Sequence, residues 1–145
     1  MQPKSQLTLG PVLFNWPVER WRDFYFRIAD EAPLDTVYLG EVVCSKRLPF
    51  YAEHLPVVAE RLMAAGKDVV FSTLALVMNK RELDQQRNLA QMTDTLIEAN
   101  DLSAISALNG RPHIVGRHCR PLCPAWRPAN CAAPRIAGRN DWHFG

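Results

Sequence analysis

The chain holds 145 residues, 48% of them hydrophobic and 22% charged, which suits one globular domain with a buried core. No apolar run reaches the roughly 18 to 20 residues of a membrane helix, and Met1-Gln2-Pro3-Lys4-Ser5 opens no secretory leader, so the expected compartment is the cytoplasm. The net charge of +2 hides a split: residues 1–116 carry 12 Lys and Arg against 14 Asp and Glu, while residues 117–145 carry five Arg against Asp141 alone, and the mildly acidic body argues against nucleic acid as a partner.

Taken in order, Leu7 to Trp16 is rich in strand formers, with Pro11 marking a turn or an edge. Pro17 stands where a first helical residue is tolerated, and Val18, Trp21, Phe24, Tyr25 and Ile28 then recur at helical spacing. Glu31-Ala32-Pro33 stops that helix. Thr36-Val37-Tyr38-Leu39 begins a second strand, which runs into Gly40-Glu41-Val42-Val43-Cys44-Ser45-Lys46-Arg47.

Pro49 opens the next helix, Gly66 closes it, and Pro56 inside it marks either a lost hydrogen bond or a late start. Asp68 to Val77 is the third and most apolar strand. Asn79 is placed to cap a polar helix running from Lys80 to about Thr93. Leu96 to Ala99 reads as a short fourth strand, Leu102 to Leu108 as a short helix, and His113 to Gly116 as a fifth strand.

Such regular alternation predicts a parallel sheet with crossover helices, because parallel neighbours are joined only by long connections. Two closures remain open on this pattern, a doubly wound sheet or part of a (β/α) barrel, since a whole barrel needs typically ~250 residues. Neither G-x-G-x-x-G nor G-x-x-x-x-G-K-[ST] occurs, so the phosphate-cradling loops of nucleotide sheets are absent.

From Arg117 the text changes, to four Pro, five Arg and three of the four Cys, with too few aliphatic residues to build a core. The expected reading of 117–145 is a disordered tail, of a composition that a GC-rich gene yields out of frame. A frameshift near Gly116 then accounts for it, and continuation of the strand–helix pattern in another frame of the downstream DNA is the test. A metal site at Cys119, Cys123 and Cys131, with His118 and His143, is the rival, although C-x3-C-x7-C matches neither zinc nor ferredoxin spacings.

Tyr38 to Arg47, together with Leu9-Gly10-Pro11-Val12-Leu13, Trp16-Pro17, Ser72 to Val77 and Ile97-Glu98-Ala99-Asn100-Asp101, resembles the collagenase-like peptidase family of class U, in its ubiquinone biosynthesis branch. The likeness covers residues 1–116, and it implies the N-terminal half of an α/β barrel of parallel strands and crossover helices. It further implies a four-iron four-sulfur cluster with Cys44 as the first of four cysteine ligands. A UbiU-like partner protein in a heterodimer, a prenylated quinone precursor and an oxygen-independent hydroxylation complete what the resemblance implies. The other three ligands fall beyond the matching part, so this chain is expected to be truncated and inactive alone.

In a parallel barrel functional groups gather where strands end, and that rule selects Trp16, Glu41, Cys44, Thr73, Glu98, Asn100 and Asp101 as the candidate face. Thiolates are what iron–sulfur clusters use, and the cations Lys46 and Arg47 beside Cys44 suit one. Bland readings stand next to these. A lone cytosolic cysteine is commonly a small buried hydrophobe, and Glu41, Glu98 and Asp101 serve equally as helix caps or as partners of Lys46 and Arg47. His54 reads as packing or surface and His113 as a strand residue. Two further functions compete: a thiol or metal-dependent peptidase, for which Cys44 lacks a local signature, and a scaffold that binds a partner without chemistry. No catalytic residue is assigned.

Overall fold

The computed structural model describes residues 6–91 and 95–116. The readings made of Met1 to Ser5, of the end of the polar helix at Thr93, and of the tail with Cys119, Cys123 and Cys131 lie outside them.

Five strands form one sheet: β1 (Thr8–Leu9), β2 (Thr36–Leu39), β3 (Asp68–Ser72), β4 (Leu96–Ala99) and β5 (Ile114–Val115). They lie side by side in chain order and every neighbouring pair is parallel. That order decides between the two closures. A doubly wound sheet reverses direction at a switch point, whereas this one advances strand by strand, so right-handed crossovers put every helix on the same side. The sheet curls into a half-barrel with helices between its strands, and β1 and β5 are its edges.

Strand alternation sorts the side chains. Val37 pairs with Val69 and Leu39 with Phe71, and these four pack under α1 (Val18–Glu31) and α3 (Leu55–Ala64). Trp21, Tyr25 and Ala29 recur every fourth residue on the inner stripe of α1, and Val58, Ala59 and Leu62 form that of α3. A large apolar side chain buried to this degree contributes about 1.5–3 kcal/mol, so this layer dominates the stability of the first half of the chain. A smaller cluster joins Ile97 and Ala99 to Ala90, Ala104 and Leu108 of α4 (Lys80–Ala90) and α5 (Leu102–Leu108). Tyr38, Val70 and Leu96 share one row on the opposite, concave side.

Several boundaries differ from the sequence expectation. The first strand is two residues long, because Gly10-Pro11 leads the backbone into a loop, and Pro17 is the residue before α1 with extended ψ rather than its first member. The third strand ends at Ser72, and Thr73 to Val77 form a loop. The helix at Pro49 is split into α2 (Leu48–Tyr51), a 3-10 turn at Ala52–His54, and α3, with Pro56 in the first turn of α3, where its missing N–H costs nothing. Asn79 caps α4 as expected, its Oδ1 accepting the Glu82 N–H at 3.0 Å. No helix among the described residues is long and apolar enough to cross a membrane.

Candidate functional site

At the end of β2 the chain makes a turn that only glycine allows. Gly40 has φ 128°, and a Cβ there would lie 2.5 Å from the Ser72 carbonyl oxygen, so the backbones of the β2 and β3 ends are in direct contact. The next residue, Glu41, is buried at 6% exposure, yet its carboxylate is satisfied. Oε1 accepts the Val43 N–H at 2.8 Å and the Cys44 N–H at 2.9 Å, and Oε2 accepts the Tyr51 hydroxyl at 2.9 Å. Of the two readings of Glu41, the geometry favours the structural one, since this carboxylate shapes the loop that carries Cys44.

Cys44 is a free, half-buried thiol at the start of a turn closed by the Arg47 N–H on its carbonyl at 3.0 Å. The turn is fastened on two sides. Ala75 N–H donates to Val42 O at 2.9 Å, and the Ser45 hydroxyl donates to Glu82 Oε1 at 2.6 Å. Glu82 also accepts the Met78 N–H at 2.8 Å, and these hydrogen bonds, led by the one from Ser45, hold its carboxyl below its usual range.

Aromatic side chains stand behind the clamp. Tyr51 stacks on Trp21 with centroids 4.8 Å apart, and Trp21 meets Tyr25 edge-on at 4.8 Å. The Tyr25 hydroxyl accepts the Val12 N–H at 3.1 Å, which ties the loop after β1 to the same unit. Between these loops opens a cleft of about 350 Å³, walled by Phe14, Trp16, Trp21, Phe50 and Tyr51, with Glu41 and Arg47 at its polar side. Arg47 is held there by its donation to Leu13 O at 2.8 Å. Trp16 lies parallel to Phe14, and the Arg20 guanidinium sits 4.6 Å from its ring centre.

A second network occupies the ends of β3 and β4. Glu98 Oε2 accepts from the Ser72 hydroxyl at 2.7 Å and from the Asn100 amide at 3.0 Å. Thr73 Oγ1 accepts the Asn100 N–H at 2.9 Å, and Asn100 Nδ2 reaches Thr73 O at 3.1 Å. Burial and the Glu98 charge push the Tyr38 phenol up to about 12. Asp101 is drawn off instead, capping α5 through the Ser103 N–H at 2.8 Å.

The seven residues selected from the sequence divide into Trp16 and Glu41 at the cleft, with Cys44 on the loop that Glu41 holds, Thr73, Glu98 and Asn100 in the second network, and Asp101 in a cap; Trp16 stands seven residues past β1, just before α1. Sequence reasoning missed Tyr51, Ser45 and Ser72 as partners in these networks, and Arg47, expected to pair with a carboxylate or favour the thiolate, donates to Leu13 O. A buried tyrosine two residues past Pro49 was the one available signal for Tyr51, because its hydroxyl needs a partner there. His54 is half-buried, and His113 is buried just before β5 with Nδ1 2.7 Å from Arg111 O.

Among the described residues Cys44 is the free thiol, and no three Cys, His, Asp or Glu side chains come together to hold a metal ion. A four-thiolate cluster would find one thiol, Cys44, among these residues. No protein-family model matches the chain, and no solved structure matches it.

Proposed function

We propose that the chain is the N-terminal half-barrel of a cluster-binding member of the collagenase-like peptidase family of class U. Within that family the reading is narrower: a protein like UbiV, the iron–sulfur accessory protein that works with UbiU in oxygen-independent hydroxylation of prenylated quinone precursors.

The observation that carries this reading is the presentation of Cys44. A bland core cysteine needs no carboxylate buried beneath its loop, whereas a ligand gains from a backbone fixed by Glu41 and Tyr51 before any cofactor arrives. The aromatic cleft that shares Glu41 has a volume suited to a small planar ring, and it is the proposed seat of the precursor's aromatic head.

The other three thiolates of such a cluster are proposed to come from a second barrel half, since the spacing of Cys119, Cys123 and Cys131 does not match the family's ligands. Anaerobic reconstitution with iron and sulfide tests this. The 145-residue chain is expected to take up no Cys44-dependent cluster, and the same half-barrel joined to a second class U half is expected to take one up. A cluster unchanged by Cys44→Ala in the joined protein contradicts the reading.

A further inference from the structure

Five of the ten large hydrophobic side chains exposed among the described residues lie on the loops that leave β1, β2 and β3, and a sixth, Phe50, lies on α2, which the second of these loops enters. Phe14 is 72% exposed, Phe50 74% and Met78 79%, and Leu13, Val43 and Leu76 are exposed beside them. Side chains this apolar, gathered at one end of the molecule, form a patch that water does not favour.

The three connections are one surface. Phe14 and Phe50 flank the same cleft, Ala75 is bonded to Val42, and Glu82 holds both Ser45 and Met78. The patch is ringed by cations: Lys46, Lys80 and Arg81 are exposed, and Arg47 is half-exposed. Of the acids on these connections, Glu41 is buried and Glu82 is engaged by its hydrogen bonds. Glu19, in the first turn of α1, and Glu53, in the 3-10 turn after α2, are exposed carboxylates near it, so exposed cations outnumber exposed acids around the patch.

We infer that this rim docks on an anionic lipid surface, with Phe14, Phe50 and Met78 entering the headgroup boundary and Lys46, Lys80 and Arg81 meeting lipid phosphates. Apolar tips within a cationic collar are the arrangement by which a protein lies on a membrane without crossing it. A second copy is the poorer occupant, because it would set the same cations against each other. The inference stands independently of the cluster reading.

Vesicle sedimentation with the full 145-residue chain tests it, using phosphatidylcholine vesicles with and without phosphatidylglycerol. Binding is expected to need the anionic lipid. It should fall at least ~tenfold in Phe14→Ser/Phe50→Ser, and by about tenfold in Lys80→Gln/Arg81→Gln. All four side chains are exposed, so the circular dichroism spectrum should not change. The tail's five Arg are present in every variant, so binding that the Phe14→Ser/Phe50→Ser variant retains in full would belong to the tail and overturn the proposal. It also fails if the wild-type chain ignores vesicles and instead self-associates in a manner that this variant abolishes.

Discussion

The Tyr51 hydroxyl donates to Glu41 at 2.9 Å from ten residues further along the chain, and the same carboxylate holds the amides of Val43 and Cys44. Glu41→Ala leaves two amides and a phenol without their acceptor and is expected to destabilise the chain by about 2–4 kcal/mol, against about 1 kcal/mol for Tyr51→Phe. The two changes remove one shared bond, so the double variant should cost less than the sum of the singles by about 0.5–1 kcal/mol. Urea unfolding of the four proteins measures this, and strict additivity would show that the bond carries no energy.

All three tyrosines of the chain are held back from ionising. Burial pushes Tyr25 and Tyr38 up to about 12, and burial with the Glu41 carboxylate raises Tyr51. A phenol whose folded value lies above its unfolded value adds stability that is complete below about pH 10 and is lost as the pH climbs toward the folded value. Phenolate absorbance should therefore show no step near pH 10 in the folded chain and should rise together with the loss of circular dichroism above it. A separate tyrosine step at about 10 with the fold intact would contradict the burial of these rings.

Gly40 is expected to tolerate no side chain. Gly40→Ala combines a left-handed φ of 128° with a Cβ 2.5 Å from the Ser72 carbonyl, and the contact is with backbone, which cannot swing away. A loss of roughly 2–4 kcal/mol follows, measured by denaturant unfolding. Gly66→Ala is the control, since it shares a positive φ but meets nothing within 4 Å, and it should cost about 1 kcal/mol. Equal losses at the two positions would show that φ alone, and not the β2–β3 contact, sets the cost.

Much of the architecture was legible because it rests on local patterns. Val18, Trp21, Tyr25 and Ile28 announce one helix face, Asn79 a cap, and the strand–helix alternation a parallel sheet. The barrel sense was not legible, because spatial strand order is a long-range property that no window of sequence contains. The candidate residues follow from the rule that a parallel sheet gathers functional groups where its strands end, and the structure divides them between a cleft, a second network and a helix cap. What each residue does there was not recoverable, since Glu41 was a free carboxylate in the text until Tyr51 and the Val43 amide were folded onto it. The over-long first and third strands have a related cause. Val12 packs against the core, Leu74 is buried, and Thr73 and Ala75 bond to neighbouring strand ends, and composition alone cannot tell such a loop from a ladder.

The most direct test of the account is iron and sulfide uptake by residues 1–116 continued into the second half of a class U barrel, compared with its Cys44→Ala counterpart. The account predicts the visible absorbance of an iron–sulfur cluster, with about four iron per chain, in the first protein and its loss in the second. Equal iron and equal absorbance in both would show that the Cys44 turn, for all its buried support from Glu41 and Tyr51, is not a cluster ligand.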